Sequence, residues 1–249
     1  MVEFIIIVES AADFRTAKTI AERLITEKMP WLAEYLANTF TWSGLEPNTE
    51  FSCWRDIRTI REALKAQGFP SPRYLKGTGK SDGAAAHIVL QLVTQLKRQR
   101  DIRAVLFIRD SDNQDERRVR LEQAREERKQ SLPDTAIVIG IADTKREAWI
   151  LNGFVALDES EESLLADLRQ RLSFDPTIEA HRLRATTADE PERIRNAKIV
   201  LNILTQENQD RESLCWQSTP LDVLRERGQQ TGLTAYIVQI EERLIPILQ

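Results

Sequence analysis

Three stretches of the chain are apolar without a polar alternation: Phe4-Ile5-Ile6-Ile7-Val8, Ala104-Val105-Leu106-Phe107-Ile108, and Thr135-Ala136-Ile137-Val138-Ile139-Gly140-Ile141-Ala142. Runs this short, carrying β-branched and aromatic residues, suit strands covered on both faces. Between and after them the spacing turns helical. Ile20, Leu24, Trp31, Leu32 and Leu36 predict a helix from about Arg15 and a second short one beyond the break at Met29-Pro30. Thr39-Phe40-Thr41-Trp42 reads as another strand, followed by a turn over Gly44 to Asn48. Ile57, Ile60 and Leu64 place a helix over Trp54 to Ala66, with Gly68 as its stop. Further helices are expected from about Ala84 to Arg98 and from Gln114 to Lys129. A short apolar one begins at Ala148-Trp149-Ile150-Leu151. From about Glu159 onward only helical spacing remains, over Glu161 to Leu172, Pro191 to Leu204, Glu207 to Trp216, Pro220 to Arg227 and Thr231 to Leu248.

This pattern predicts an α/β fold with a parallel sheet flanked by helices. The sheet region would span about residues 1–155, with a helical insertion near 43–100, and an all-helical C-terminal region, 156–249, would pack on it. No repeat period suggests a solenoid.

Composition narrows the function classes. With 41% hydrophobic and 30% charged residues over 249 positions, the chain can bury a real core and is far from disorder. A formal net charge of −4 excludes a global basic field, so any nucleic-acid contact must use a local patch. Cys53 and Cys215 each precede a tryptophan and form no C-x-x-C pair, which leaves metal-thiolate chemistry without support; they read as buried thiols. No apolar run approaches the roughly 18 residues of a membrane helix, and the N-terminal strand lacks a basic flank, so a cytoplasmic protein is expected.

The candidate chemistry sits where the apolar runs stop. The central run ends in Arg109-Asp110-Ser111-Asp112-Asn113, and in an extended chain Asp110 and Asp112 would project to the same side. Two close carboxylates repel unless a cation lies between them, and a hard divalent ion such as Mg²⁺ or Mn²⁺ suits oxygen ligands. The plainer reading is a polar turn in which Asp112 or Asn113 caps the following helix. The first strand tips the balance, because it too ends on acid: Glu9, then Ser10-Ala11-Ala12-Asp13. Glu147 follows the last strand by about one turn and could join the same site, or serve as a first-turn helix acid.

Gly77-Thr78-Gly79-Lys80-Ser81-Asp82-Gly83 invites comparison with a phosphate-binding loop, but Tyr74 stands where that pattern requires glycine. A generic anion site at a helix N-terminus remains, with Lys80 as phosphate contact, against a plain turn capped by Ser81 or Asp82. The arginines of Gln114 to Lys129, among them Arg117 and Arg118, alternate with glutamates and read as a solvated face. His87 and His181 are expected to be structural or exposed.

The order of these pieces resembles the Toprim domain of topoisomerases, DnaG-type primases and OLD-family nucleases: a strand ending in Val8-Glu9-Ser10, a helix, and a later strand ending in Asp110-x-Asp112. The resemblance implies that Glu9, Asp110 and Asp112 bind Mg²⁺ or Mn²⁺, with Glu9 also in proton transfer. Asp13 matches an acid that follows the glutamate in OLD-like nucleases. Glu147, in Glu-Ala-Trp, looks like an acid of stand-alone Toprim-like proteins from bacterial defence loci. Ser10 replaces the usual glycine, and the helical C-terminal region matches no topoisomerase or primase.

The expectation is a metal-dependent phosphodiester hydrolase acting on DNA or RNA in phage defence. Lys80 or Lys145 would neutralise the phosphate. Rival readings are a non-catalytic Toprim-like partner of an ATPase, a nucleotide-sugar transferase using its D-x-D on a diphosphate, and, weaker, a phosphatase of the haloacid dehalogenase type.

Overall fold

The computed structural model describes residues 1–70, 82–185 and 192–249. Its centre is a parallel five-stranded sheet in the order β2-β1-β4-β5, where β1 is Val2–Val8, β2 Phe40–Ser43, β4 Ile102–Asp110 and β5 Ala136–Ala142. β1 and β4 run side by side with Ile5 opposite Val105, and β5 follows with Ile137 opposite Val105. The fifth strand, β3 (Ser52–Cys53), pairs with β1 at Ile7 and Val8, beyond the end of β2. Two residues carry too little pattern for sequence reading to find.

Strand alternation sorts the apolar runs into two cores. Phe4, Ile6, Val8, Leu106, Ile108 and Val138 face one side, while Ile5, Ile7, Val105, Phe107 and Ile139 face the other. The strands show no polar face because both layers are dry. The first side is covered by α1 (Ala11–Lys28) and by the helices that follow the sheet, and the second by α3 (Ile57–Ala66), α4 (Asp82–Leu96) and α5 (Glu116–Arg128). Each fully buried isoleucine contributes about 1.5–3 kcal/mol relative to exposure. A one-turn helix, α2 (Leu36–Thr39), leads into β2 after a 3₁₀ turn at Pro30–Tyr35, where Pro30 stops α1.

After β5 come α6 (Arg146–Asn152), α7 (Glu159–Leu172), α8 (Ala197–Thr205), α9 (Gln209–Gln217), α10 (Leu221–Arg227) and α11 (Leu233–Gln239). The expected last helix changes its winding: after α11 the chain widens into a π turn at Ile240–Leu244 and then tightens into a 3₁₀ turn at Ile245–Ile247, which contains Pro246. These helices join the first core through Trp149 and Tyr236, stacked with centroids 5.2 Å apart. Gly140 makes room for this stack, since a Cβ there would lie 2.8 Å from Tyr236 Cδ2 and 2.9 Å from Ile108 Cδ1. Among the described residues, no helix is long and apolar enough to cross a membrane.

Candidate functional site

Because β1 and β4 are parallel neighbours with Ile7 opposite Phe107, their carboxyl ends deliver Glu9 and Asp110 to the same edge of the sheet. The Asp110 amide donates to Glu9 Oε1 at 3.2 Å. Asp112 reaches this edge by a different route from the one its spacing suggests. The chain leaves the extended conformation after Asp110, with Asp112 at φ 45° and Asn113 at φ 59°, so strand alternation does not align the two carboxylates. A left-handed turn presents Asp112 instead, and Asp115, not Asp112 or Asn113, stands at the start of α5.

Hydrogen bonds stitch that turn to the end of β5. Ser111 N donates to Ala142 O at 2.8 Å, Asp112 N to Thr144 O at 3.0 Å, and Thr144 N to Ser111 Oγ at 2.7 Å. Thr144 is buried at φ 63°, a costly conformation for a β-branched residue that persists only where neighbours enforce it. Such concentrated strain is typical of functional loops.

Three arginines organise the acids. Arg117 Nη1 donates to Asp112 Oδ2 at 2.9 Å and to the Asp110 carbonyl at 2.7 Å, and lies 4.0 Å from Glu9 Oε1. Arg109 Nε lies 3.3 Å from Glu9 Oε1, and its Nη2 lies 3.1 Å from Asp82 Oδ1. Trp54 holds Arg109 from behind: its ring faces the guanidinium at 5.5 Å and its Nε1 donates to Ile108 O at 2.8 Å. On the other side, Arg146 Nη2 pairs with Glu212 of α9 at 3.0 Å and approaches Glu147 at 4.0 Å, while its Nε lies 3.7 Å from Asp13. Ser10 caps α1 and donates from Oγ to Asp13 Oδ2 at 2.7 Å.

The expected acids therefore fall into two groups. Glu9 and Asp112 gather with Asp82 around Arg109 and Arg117, whereas Asp13 and Glu147 gather with Glu212 around Arg146. Asp110 bridges them, giving its carbonyl to Arg117 and accepting the Arg146 amide on Oδ1 at 2.8 Å. Burial, followed by the charges of Glu9, Asp13 and Glu147, pushes the Asp110 carboxyl up to about 8. Burial also raises Glu9, against the pull of Arg109. Lys80 and most of the glycine-rich loop lie outside the described residues. Lys145 is the residue before α6.

Oxygen-only donors suit Mg²⁺ or Mn²⁺ in kind. Their placement does not: among the described residues, no three His, Cys, Asp or Glu side chains are grouped to hold a metal ion. Sequence reading missed Arg109, Arg117 and Arg146 and took Asp82 only for a cap. Arg117, expected on a solvated face, is 9% exposed. The one available signal was adjacency to acid, since Arg109 precedes Asp110 and Arg146 precedes Glu147.

His87, one of the two histidines expected to be structural or exposed, is buried beside Glu127 at 3.0 Å. The second strained loop carries Asp143, which pairs with Arg184 at 2.8 Å, next to a cleft of about 290 Å³ lined by Ser111, Arg118 and Gln230. Comparison with protein-family models, with curated proteins and with solved structures yields no match.

Proposed function

We propose that this chain is a Mg²⁺- or Mn²⁺-dependent phosphodiester hydrolase of Toprim type, acting on DNA or RNA. One observation carries the reading: Glu9 and Asp110, far apart in sequence, are hydrogen-bonded at the carboxyl edge of the two adjacent central strands, with Asp112 joined to both through Arg117. Ligand sites of open α/β sheets lie at that edge. The acid supplied by each strand end, and their order along the chain, is what the Toprim resemblance requires.

Charge supports the same reading. Glu9, Asp82 and Asp112 face two guanidinium groups, and Asp13, Glu147 and Glu212 face a third, so acid is in excess on both sides of Asp110. An excess of this kind repels a phosphate backbone and favours a cation. Burial raises the proton affinity of Glu9, the direction that suits a residue handling a proton. Phage defence is the setting that the resemblance adds.

A second reading has an observation in its favour: the acids are already paired with arginine, as expected of a Toprim-like partner subunit of an ATPase in which no metal is needed. Incubating wild type and Glu9→Gln with supercoiled DNA and single-stranded RNA, with Mg²⁺ or Mn²⁺, separates the two. Metal-dependent cleavage that disappears in Glu9→Gln supports the hydrolase; no cleavage with either ion supports the partner subunit.

A further inference from the structure

The cleft of about 290 Å³ opens beyond the carboxyl ends of β4 and β5, between the turn that carries Ser111 and the loop that leads into α11. Small-molecule sites run from roughly 300 to 1,000 Å³, so this one is of a size for a ligand of about one nucleotide. One of its walls is the bare backbone of Gly232. A Cβ there would lie 2.1 Å from Ile141 O and 3.4 Å from Arg118 Nη2, which places the Arg118 guanidinium directly against that wall.

Arg118 differs from the other arginines at these strand ends. Arg109, Arg117, Arg146 and Arg184 each pair with an acid. The half-buried Arg118 makes no hydrogen bond or ion pair among the described residues, although Asp115 stands three positions before it, a spacing that permits one on a helix. A guanidinium presents five donors in a planar fork that matches a phosphate bidentately, and here the whole set is left to be met from the cleft.

The rest of the lining donates and accepts. Gln114 and Gln230 bring amides, whose adjacent donor and acceptor match the edge of a nucleobase. Asp115 adds a carboxylate for base amino or ribose hydroxyl groups. Asp143 is already engaged by Arg184 at 2.8 Å and by Ser111 Oγ at 3.4 Å, contacts that fix the wall without using the other groups. An inorganic anion would answer Arg118 alone, and an uncharged ligand would answer only the amides. We propose that the cleft binds a single nucleotide, a nucleoside monophosphate, with its phosphate on Arg118 and its base against Gln114 and Gln230. The site goes beyond the hydrolase reading and stands without it, since neither a metal nor cleavage enters.

The test is isothermal titration calorimetry of the full chain in excess chelator. The probes are AMP, GMP, CMP and UMP, the matching nucleosides, and inorganic phosphate. At least one monophosphate should bind with a Kd below about 1 mM, and its nucleoside and inorganic phosphate about tenfold more weakly or not at all. Arg118→Met should weaken the nucleotide about tenfold or more and erase its advantage over the nucleoside, and Arg118→Lys should recover part of the loss. The double variant Gln114→Ala, Gln230→Ala should weaken the nucleotide while leaving inorganic phosphate unchanged.

No binding of any monophosphate below about 10 mM, or binding that Arg118→Met leaves unchanged, overturns the site. Inorganic phosphate that binds as tightly as the nucleotide overturns the nucleotide assignment. Should Arg118→Met lose the native near-ultraviolet circular dichroism spectrum, the double glutamine variant decides, and an unchanged nucleotide affinity there overturns the proposal. None of these results touches metal-dependent cleavage and its loss in Glu9→Gln, so the hydrolase reading stands or falls separately.

Discussion

The backbone amide of Asp110 donates to Glu9 Oε1 across 101 positions of sequence. That contact joins the carboxyl ends of the two central strands and makes one site of two acids that each look ordinary in their own segment. It also sets a limit on what a side chain at position 9 can be, because an acceptor must remain there.

Glu9→Gln keeps an acceptor for the Asp110 amide while removing the charge. Cleavage by this variant should fall by about 10²-fold or more, the scale on which a positioned proton-transfer group acts. The melting temperature should change little. Plasmid nicking in Mn²⁺ alongside scanning calorimetry checks both, and a fully active variant would remove Glu9 from the mechanism.

The pH dependence of stability has a definite sign at Asp110. Its folded-state affinity for protons is raised from the carboxylate range to about 8. The folded state therefore holds a proton that the unfolded chain releases above about pH 4. The stability from this group is complete below that pH and declines as pH rises toward 8. Each pKa unit corresponds to about 1.4 kcal/mol. In chelator, wild type should lose melting temperature between pH 5 and pH 8, and Asp110→Asn should show a much flatter profile. A wild type equally stable across the range would contradict the buried placement of this carboxyl.

Gly140→Ala places a methyl 2.8 Å from Tyr236 Cδ2 and 2.9 Å from Ile108 Cδ1, in a core that cannot shift without disturbing the stack on Trp149. Overpacking of this kind costs about 1–3 kcal/mol. Urea denaturation should show a lower midpoint with an unchanged slope.

Tyr236→Phe removes one buried donor, the hydroxyl that bonds Ala17 O at 2.9 Å, and should cost about 0.5–1.5 kcal/mol. Tyr236→Ala also empties the space above Gly140 and should cost about 3–5 kcal/mol. Equal losses in the two variants would mean that the ring contributes nothing to joining α11 to the sheet.

The strand ends were easy to read because the apolar runs stop abruptly at Glu9 and Asp110. Both fall where parallel neighbours place them. Asp112 was named for the wrong reason: spacing of two predicts a shared side only while the chain stays extended, and it turns left-handed at Asp112. β3 escaped notice because two residues carry no period. Arg117 escaped because a helix of mixed charge looks solvated, and only the packing of α5 against the sheet shows that one of its arginines points inward.

By itself the sequence determined the four longer strands, the dry faces of the three apolar runs and the acids at two strand ends, since these follow from the spacing of apolar residues along one chain. Only the tertiary structure decided what neutralises those acids. The partners of Glu9, Asp110 and Asp112 come from β4, α5 and α6, and those of Asp13 and Glu147 include Arg146 and, through it, Glu212. Ion pairing depends on distance in space, falling away over a few ångströms of separation, and no local pattern encodes which distant helix brings its guanidinium within that range.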